Sequence, residues 1–251
     1  MNIKNVSEIL KNELLAKNAD KIEYISFYGA GASSDSRNSI VERGLKMVFK
    51  NTKKIIVDHD LKAAAIATAQ DSPGIACIIG TGSNSCYYDG STVHEVVPAL
   101  GYILGDEGSG AYFGKLLLSK YLYKKLPIEL AKGLEEEYNI SKEAIFEAVY
   151  NKPNPNVYLA SFMKFALKHK DHPFFKEMIY KGLSAFINIH VWCYDNFREV
   201  PVHFVGSIAY YFHDVLEEVA RNYRFTIGNI IRKPVSPLAD YYCKKFNYPI
   251  I

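Results

Sequence analysis

Three short stretches concentrate glycine beside residues that can bind or react: Gly80-Thr81-Gly82-Ser83-Asn84, LGDEGSG at 104–110 and VGSIA at 205–209. Each lies where a strand meets the next element. In open α/β sheets ligands bind beyond the carboxyl ends of the strands, so such loops can converge on one site without being close in sequence. The first stretch, within CIIGTGSNSCYYDG (77–90), holds more glycine than a hairpin needs. Asn-Gly or Asp-Gly closes a two-residue hairpin turn, and Asp89-Gly90 already supplies one. Small residues let a ligand approach the backbone, and successive N–H groups with two hydroxyls suit a phosphate or a sugar hydroxyl. The plain alternative is a tight turn between two core strands. VGSIA is equally accounted for as a helix start with Ser207 as N-cap.

In GDEGSG, Asp106 and Glu107 stand where a helix should begin, so capping and complementation of the helix dipole would explain them. The glycines on both sides nevertheless strip the loop of the bulk that would bury those carboxylates. A carboxylate backed by exposed backbone can accept hydrogen bonds from sugar hydroxyls or orient a hydrated metal. Asp58 and Asp60 flank His59 at the end of another buried strand. Asp60 reads as a helix N-cap and His59 as a solvent-facing turn residue, or one of the group is a general base at the mouth of a cleft. Adjacency does not make a catalytic dyad, because successive side chains on a strand point apart.

The elements that must position these groups follow from apolar spacing. Ser7–Lys17 reads as a helix, Ile22–Gly31 as a strand ending in a glycine loop, and Ser36–Phe49 as an amphipathic helix. KIIVDHD is a short buried strand, followed by an Ala-rich helix from about Asp60. The alternation implies parallel strands joined by helical crossovers. After the turn at 71–74, strands at Ile75–Ile79, Ser85–Tyr88 and Val93–Val97 suggest an antiparallel meander. A glycine-rich approach then enters a helix bearing Phe113, Leu116, Leu117 and Tyr121 on one face. Pro127–Arg198 reads as helical, broken at NKPNPN and at His172-Pro173. The end returns to α/β, with a strand at VHFVGS, a helix at Ile208–Asn222, a strand at Phe225–Ile230 and a helix at Ser236–Phe246.

Composition bounds the function classes. The chain has 251 residues, 49% of them hydrophobic, with net charge +3 from 30 basic and 27 acidic residues spread along its length. No Lys/Arg block stands out, so a nucleic-acid partner is not expected. No apolar run reaches membrane-spanning length and the first residues lack a signal-peptide core. The four cysteines, Cys77, Cys86, Cys193 and Cys243, show no CxxC spacing. Cys77 and Cys193 read as reduced core residues of a cytoplasmic protein without membrane association.

DHDLKAAAIAT, GTGSNS, GDEGSG and VGSIA, in this order, resemble the N-acetylglucosamine kinase and BadF/BadG-type ATPase family of the sugar kinase, Hsp70 and actin superfamily. Four ordered motifs together are far more specific than any one. The resemblance implies a ribonuclease H-like, actin-like ATPase α/β fold of two lobes, 1–70 and 71–251, with a helical insertion at about 127–198. It implies ATP-dependent phosphorylation of an amino sugar with Mg2+, N-acetylglucosamine to its 6-phosphate being the expected reaction. Asp60 matches the catalytic base, Asp106 a sugar-binding carboxylate, and Thr81 and Gly82 the boundary between sugar and phosphate. Gly31, in the YGAG loop, matches the residues flanking the sugar. Gly80, Ser83 and Asn84 fall in the second phosphate loop, and Gly206 and Ser207 in the adenosine-binding turn. The partner is thus a small sugar; a homodimer is compatible but not required.

Family members begin with a β-hairpin carrying a phosphate loop, whereas this chain opens at the following helix, so an incomplete N-terminal lobe and a slow kinase are expected. Animal N-acetylglucosamine kinases carry a Trp before GDEG, where this chain has ALGYIL; the sugar is therefore less firmly implied than kinase class. The alternatives are a non-catalytic sugar-binding remnant and a BadF-type ATPase activator. The absence of closely spaced cysteines argues against the cluster-bearing activator.

Overall fold

The computed structural model describes residues 17–32 and 34–246. The helix expected at Ser7–Lys17 lies, save for Lys17, outside the described residues. The chain divides into two compact units, Met1–Ala63 and Ala64–Ile251.

In the first unit, β1 (Tyr24–Tyr28) and β2 (Lys54–Asp58) pair in parallel, with Tyr24 opposite Lys54 and Tyr28 opposite Asp58. A parallel pair requires a crossover, and α1 (Asp35–Val48) provides it. Val41, Leu45 and Phe49 recur every fourth residue and so share one face of the helical turn. They form a small core against which Ile25, Phe27, Ile55 and Val57 pack. These strands supply alternate residues to the helix, so the period of two in one element meets the period of four in the other. Next comes α2 (Asp60–Ala69), whose Leu61, Ala63, Ala64, Ala65 and Ile66 are all buried.

The second unit is built on a five-stranded sheet, ordered β5-β4-β3-β6-β7. Its strands are β3 (Gly74–Ile79), β4 (Ser83–Tyr88), β5 (Val93–His94), β6 (Val202–Val205) and β7 (Ile227–Ile231). The first three form the expected antiparallel meander, while β6 and β7 run parallel to β3. The fifth strand is shorter than the Val93–Val97 expected. It follows the expected Asp89-Gly90 turn, where Asp89 Oδ1 accepts from the Ser91 and Thr92 amides at 2.8 and 2.7 Å and Gly90 takes φ +99°. Central β3 is buried at every position except Ile78.

The helices between the two halves of this sheet begin with α3 (Gly101–Leu104) and α4 (Gly110–Leu122). The expected helical insertion follows as α5 (Ile128–Tyr138), α6 (Lys142–Phe146), α7 (Pro155–Ser161), α8 (Met163–Lys168) and α9 (Pro173–His190). A π-helical turn at Glu147–Asn151 and left-handed Asn154 make the break foreseen at NKPNPN. The insertion leaves the helical path at His190, earlier than the expected Arg198. There the amides of both Val191 and Trp192 turn back to the Ile187 carbonyl, and the tight turns that follow bury Tyr194 and Phe197. In those turns Cys193 is only partly buried, whereas Cys77 and Cys86 are fully so. Six phenylalanines, at 113, 162, 165, 175, 186 and 204, are essentially fully buried in the core.

The helix expected at Ile208–Asn222 is instead two, α10 (Ser207–Tyr211) and α11 (His213–Tyr223). Phe212, 2% exposed, turns the chain inward between them. The last helix, α12 (Val235–Lys245), is tied back by the Tyr241 hydroxyl, which donates to Asp71 Oδ1 at 2.7 Å. No described helix is long and apolar enough to cross a membrane.

His203 on β6 has a buried imidazole lying between glycines of both neighbouring strands. A Cβ on Gly74 would stand 3.0 Å from the ring, and one on Gly228 would overlap it. Its Nδ1 accepts from the Asn229 amide at 2.9 Å, where the register of β7 shifts. Asn229 in turn donates from Nδ2 to the Thr68 carbonyl at 2.7 Å. Burial holds both His203 and His190 below the ordinary histidine range. The unfolded chain therefore binds more protons than the folded one below about pH 6.5, and stability falls as the pH drops through that value. His203→Leu should orphan the Asn229 amide and cost about 1–3 kcal/mol at neutral pH. It should also shrink the stability loss between about pH 7 and about pH 5, read from denaturant unfolding at each pH.

Candidate functional site

The second unit brings its three glycine loops together around Gly80. The first amides of a helix have no partners within it. Here the Gly110 and Ala111 amides donate to the carbonyls of Gly80 and Thr81, at 2.8 and 3.0 Å. The β3–β4 connection therefore docks on the start of α4. Ser83 adds two ties to the GDEGSG loop. Its amide donates to Asp106 Oδ1 at 3.3 Å, and its hydroxyl to the Glu107 carbonyl at 2.8 Å. The third loop meets the first from the other side. Gly206 has φ +128°, and a Cβ there would overlap the Ile79 carbonyl oxygen next to Gly80. Its amide donates to the Ile231 carbonyl at 2.9 Å. Only glycine satisfies both the left-handed backbone and the close approach.

Asp106 is not the cap of the helix it precedes. That place belongs to Ser109, fully buried, whose hydroxyl accepts from the Tyr112 amide at 3.1 Å. Asp106 is half-buried in a left-handed conformation, φ +56°, uncommon outside glycine. Its second oxygen would lie 2.9 Å from a Cβ placed on Gly82, so a side chain at 82 would crowd the carboxylate. Burial pushes the Asp106 carboxyl up; the Ser83 amide opposes this, Glu107 reinforces it and Lys115 opposes it more weakly.

The remaining expected residues of these loops divide by exposure. Thr81 is exposed and Gly82 half-buried, whereas Ser83 is buried with its hydroxyl committed to Glu107. Asn84 turns its side chain on its own strand, accepting from the Ser85 amide at 2.9 Å and donating to Glu95 at 3.5 Å. Ser207 is exposed as the first residue of α10; the N-cap position falls to Gly206, not to Ser207. Beside this turn opens a cavity of about 450 Å³ lined by Leu167, Lys170, Tyr210, Tyr211, His213 and Ile230. The Arg232 guanidinium lies over the Tyr211 ring, 5.4 Å from its centroid.

In the first unit, Asp58 Oδ1 accepts from the His59 amide at 2.8 Å. His59 Nδ1 accepts from the Leu61 amide at 3.3 Å, and its carbonyl from the Lys62 amide at 3.1 Å. His59 is therefore the residue that caps α2, and its side chain is only 16% exposed, contrary to the solvent-facing turn residue expected. Capping by His59 leaves Asp60, inside the first turn, with a carboxylate 39% exposed and 3.5 Å from the same imidazole nitrogen. Gly31 is exposed and lines a cavity of about 150 Å³ with Phe27, Gly29, Ala32, Arg37, Ile40 and Val41.

Two residues escaped the sequence reading. Ser109 as cap was hidden by the adjacent carboxylates, although a serine directly before the helical run is itself a capping signal. His190 is a lone histidine in an apolar helix with nothing to mark it in sequence, yet its Nε2 lies 3.9 Å from Glu107 Oε2.

No protein-family model matches the chain, and no curated protein matches it. Among solved structures, a candidate N-acetylglucosamine kinase from Porphyromonas gingivalis is 34% identical with a TM-score of 0.93, covering 98% of this chain and 87% of that one. A second candidate N-acetylglucosamine kinase, from Chromobacterium violaceum, shares 18% identity at a TM-score of 0.60, over 80% of this chain and 71% of that one. A ROK family glucokinase from Streptomyces griseus, in complex with glucose and AMPPNP, shares the fold at 14% identity and a TM-score of 0.53, over 94% and 85%. On its likeness to the first of these, the chain belongs to the N-acetylglucosamine kinase family of the sugar kinase, Hsp70 and actin superfamily, with the ribonuclease H-like α/β fold that goes with it.

Proposed function

We propose that this chain is an ATP-dependent sugar kinase acting on an amino sugar, N-acetylglucosamine, to form the 6-phosphate. The observation that carries the proposal is the state of Asp106. A half-buried carboxylate, relieved of capping by Ser109 and held at one oxygen by the Ser83 amide, is placed to accept from a ligand's hydroxyls. The exposed Thr81 and the narrow Gly82 border it; Gly31, exposed in the first unit, is assigned to sugar binding by the family resemblance alone.

Phosphoryl transfer needs positioning and charge neutralisation more than covalent chemistry. In this reading Asp60 takes the proton from the sugar hydroxyl as its oxygen attacks the γ-phosphorus, and the bond from that phosphorus to the bridging oxygen breaks as ADP leaves. Its exposure inside a helix capped by His59 keeps an oxygen available for that proton. Gly80, with open space where a side chain would stand, lets the nucleotide approach the backbone, Gly206 shapes the adenosine-binding turn, and Ser83 and Asn84 serve by fixing the loop. Ser207, exposed at the start of α10, faces the nucleoside. The adjoining cavity, with Tyr210 and Tyr211 in its wall, accepts the base.

Mg2+ binds through one or two carboxylates plus substrate phosphates and keeps several waters. Among the described residues there is no group of three or more His, Cys, Asp or Glu that could hold a metal. In this reading the metal would arrive with the nucleotide and supply charge neutralisation at the phosphates. The same reading implies a cytoplasmic chain, where ATP and free sugar meet.

Isothermal titration with N-acetylglucosamine, with and without ATP and Mg2+, alongside steady-state kinetics, tests the proposal. Tight sugar binding without turnover would leave a sugar-binding protein in place of a kinase. Asp60→Asn should lower kcat about a hundredfold or more and leave sugar affinity within about threefold. A variant with near-normal turnover would move the role to Asp58.

Asp106→Asn should weaken sugar binding about 10- to 100-fold, the size of a lost hydrogen bond to a charged group, and leave nucleotide affinity nearly unchanged. Loss of nucleotide binding alone would reverse the assignment. Because burial raises the Asp106 carboxyl, it protonates at a higher pH than an ordinary carboxylate. Sugar affinity should therefore fall on acidification before exposed carboxylates titrate, and Asp106→Asn should remove that dependence.

A further inference from the structure

His190 closes α9 with its side chain 4% exposed. Its carbonyl accepts from the Ser85 hydroxyl at 2.6 Å, which ties the end of the helix to β4. Its ring stacks on Phe186, one turn earlier, with centroids 4.9 Å apart and planes at 20°. Nδ1 has no hydrogen-bond partner, and Nε2 faces Glu107 Oε2 at 3.9 Å. That distance is beyond hydrogen-bonding range by less than about 1 Å. A buried imidazole nitrogen without a partner is costly, and such groups in native proteins call for a reason.

The facing loop rests directly on the same helix. A Cβ on Gly108 would lie 3.0 Å from Phe186 Cβ and 3.1 Å from the Gly182 carbonyl. Glu107 is 22% exposed at its side chain, and its carbonyl takes the Ser83 hydroxyl. Ser83 also holds Asp106 through its amide. A small movement of Glu107 toward His190 is therefore passed through one residue of backbone to Asp106.

The geometry points to His190 as a positioning residue: its imidazole faces Glu107 and holds it, and through the backbone Asp106, as a latch already set before the sugar binds. This rests on the sugar-binding reading of Asp106. Burial keeps the imidazole neutral at physiological pH, with Glu107 pulling the other way. A neutral ring with its proton on Nε2 aims that proton at the carboxylate and leaves only a lone pair unmet at Nδ1. A ring retained for packing alone would be served as well by phenylalanine, which keeps the stack on Phe186 and fills similar volume.

The decisive comparison is therefore His190→Phe against His190→Gln. The first keeps the stack and loses the donor; the second keeps a donor and loses the stack. Two readouts are taken: affinity for N-acetylglucosamine by titration calorimetry, and amide hydrogen exchange at Ser83 and Ser109 without ligand. The latch requires His190→Phe to bind sugar about tenfold more weakly and to exchange about tenfold faster at both amides, with His190→Gln within about threefold of the native chain. Glu107→Gln, at a partly exposed position, should move the His190 titration midpoint further down by NMR. Native exchange rates in His190→Phe, or an unmoved His190 titration in Glu107→Gln, would overturn the proposal. If the native chain takes no sugar but exchange and titration respond as stated, the sugar reading falls and the latch stands.

Discussion

The site depends on one arrangement of backbone hydrogen bonds, the donation by Gly110 and Ala111 at the start of α4 to the carbonyls of Gly80 and Thr81. A helix N-terminus must place its unpaired amides somewhere, and this one places them on the connection between two sheet strands. The same helix buries Phe113, Leu117 and Leu118 in the core. Core packing therefore fixes the helix, the helix fixes the β3–β4 connection, and the connection fixes Ser83 against Asp106. With Ser109 meeting the Tyr112 amide, the helix start is satisfied without a carboxylate, which leaves Asp106 for other work.

Burial acts on Asp106 and the Ser83 amide acts against it. The opposition has a functional reading in the proposed kinase. A fully solvated carboxylate would offer hydroxyls little that water does not, while an unsupported buried one would protonate. One amide bond at 3.3 Å leaves most of the acceptor capacity unspent. The left-handed backbone at Asp106 is a local cost carried at the same residue, offset by the dense bonding on either side.

Much of this was legible in the sequence wherever a local rule has one physical cause. The strands at KIIVD and GIACII follow from uninterrupted apolar runs, and the parallel pairing of the first two strands from the helix between them. The Asp89-Gly90 turn follows from the residue types alone. What escaped was decided by tertiary packing. Nothing local distinguishes Asp60 from His59 as the cap of α2; the half-buried imidazole decides it. The break at Phe212 arises because its ring is drawn into the core, although the residues around it favour a continuous helix. The expected β5 beyond His94 fails because strand propensity does not supply a partner. Of the site, the three loops and Asp106 were visible as motifs, but the Glu107–His190 approach joins positions 83 residues apart that share no pattern.

The imidazole of His203 between Gly74 and Gly228 carries a consequence for how sequences of this family can diverge. Three positions on three adjacent strands share one volume. A lineage that enlarges position 228 must first shrink position 203, and in doing so gives up the acceptor for the Asn229 amide. The three sites should then drift as a linked set, with intermediates disfavoured on either path. Such epistasis predicts correlated columns in an alignment where no ligand, and no catalytic demand, is involved.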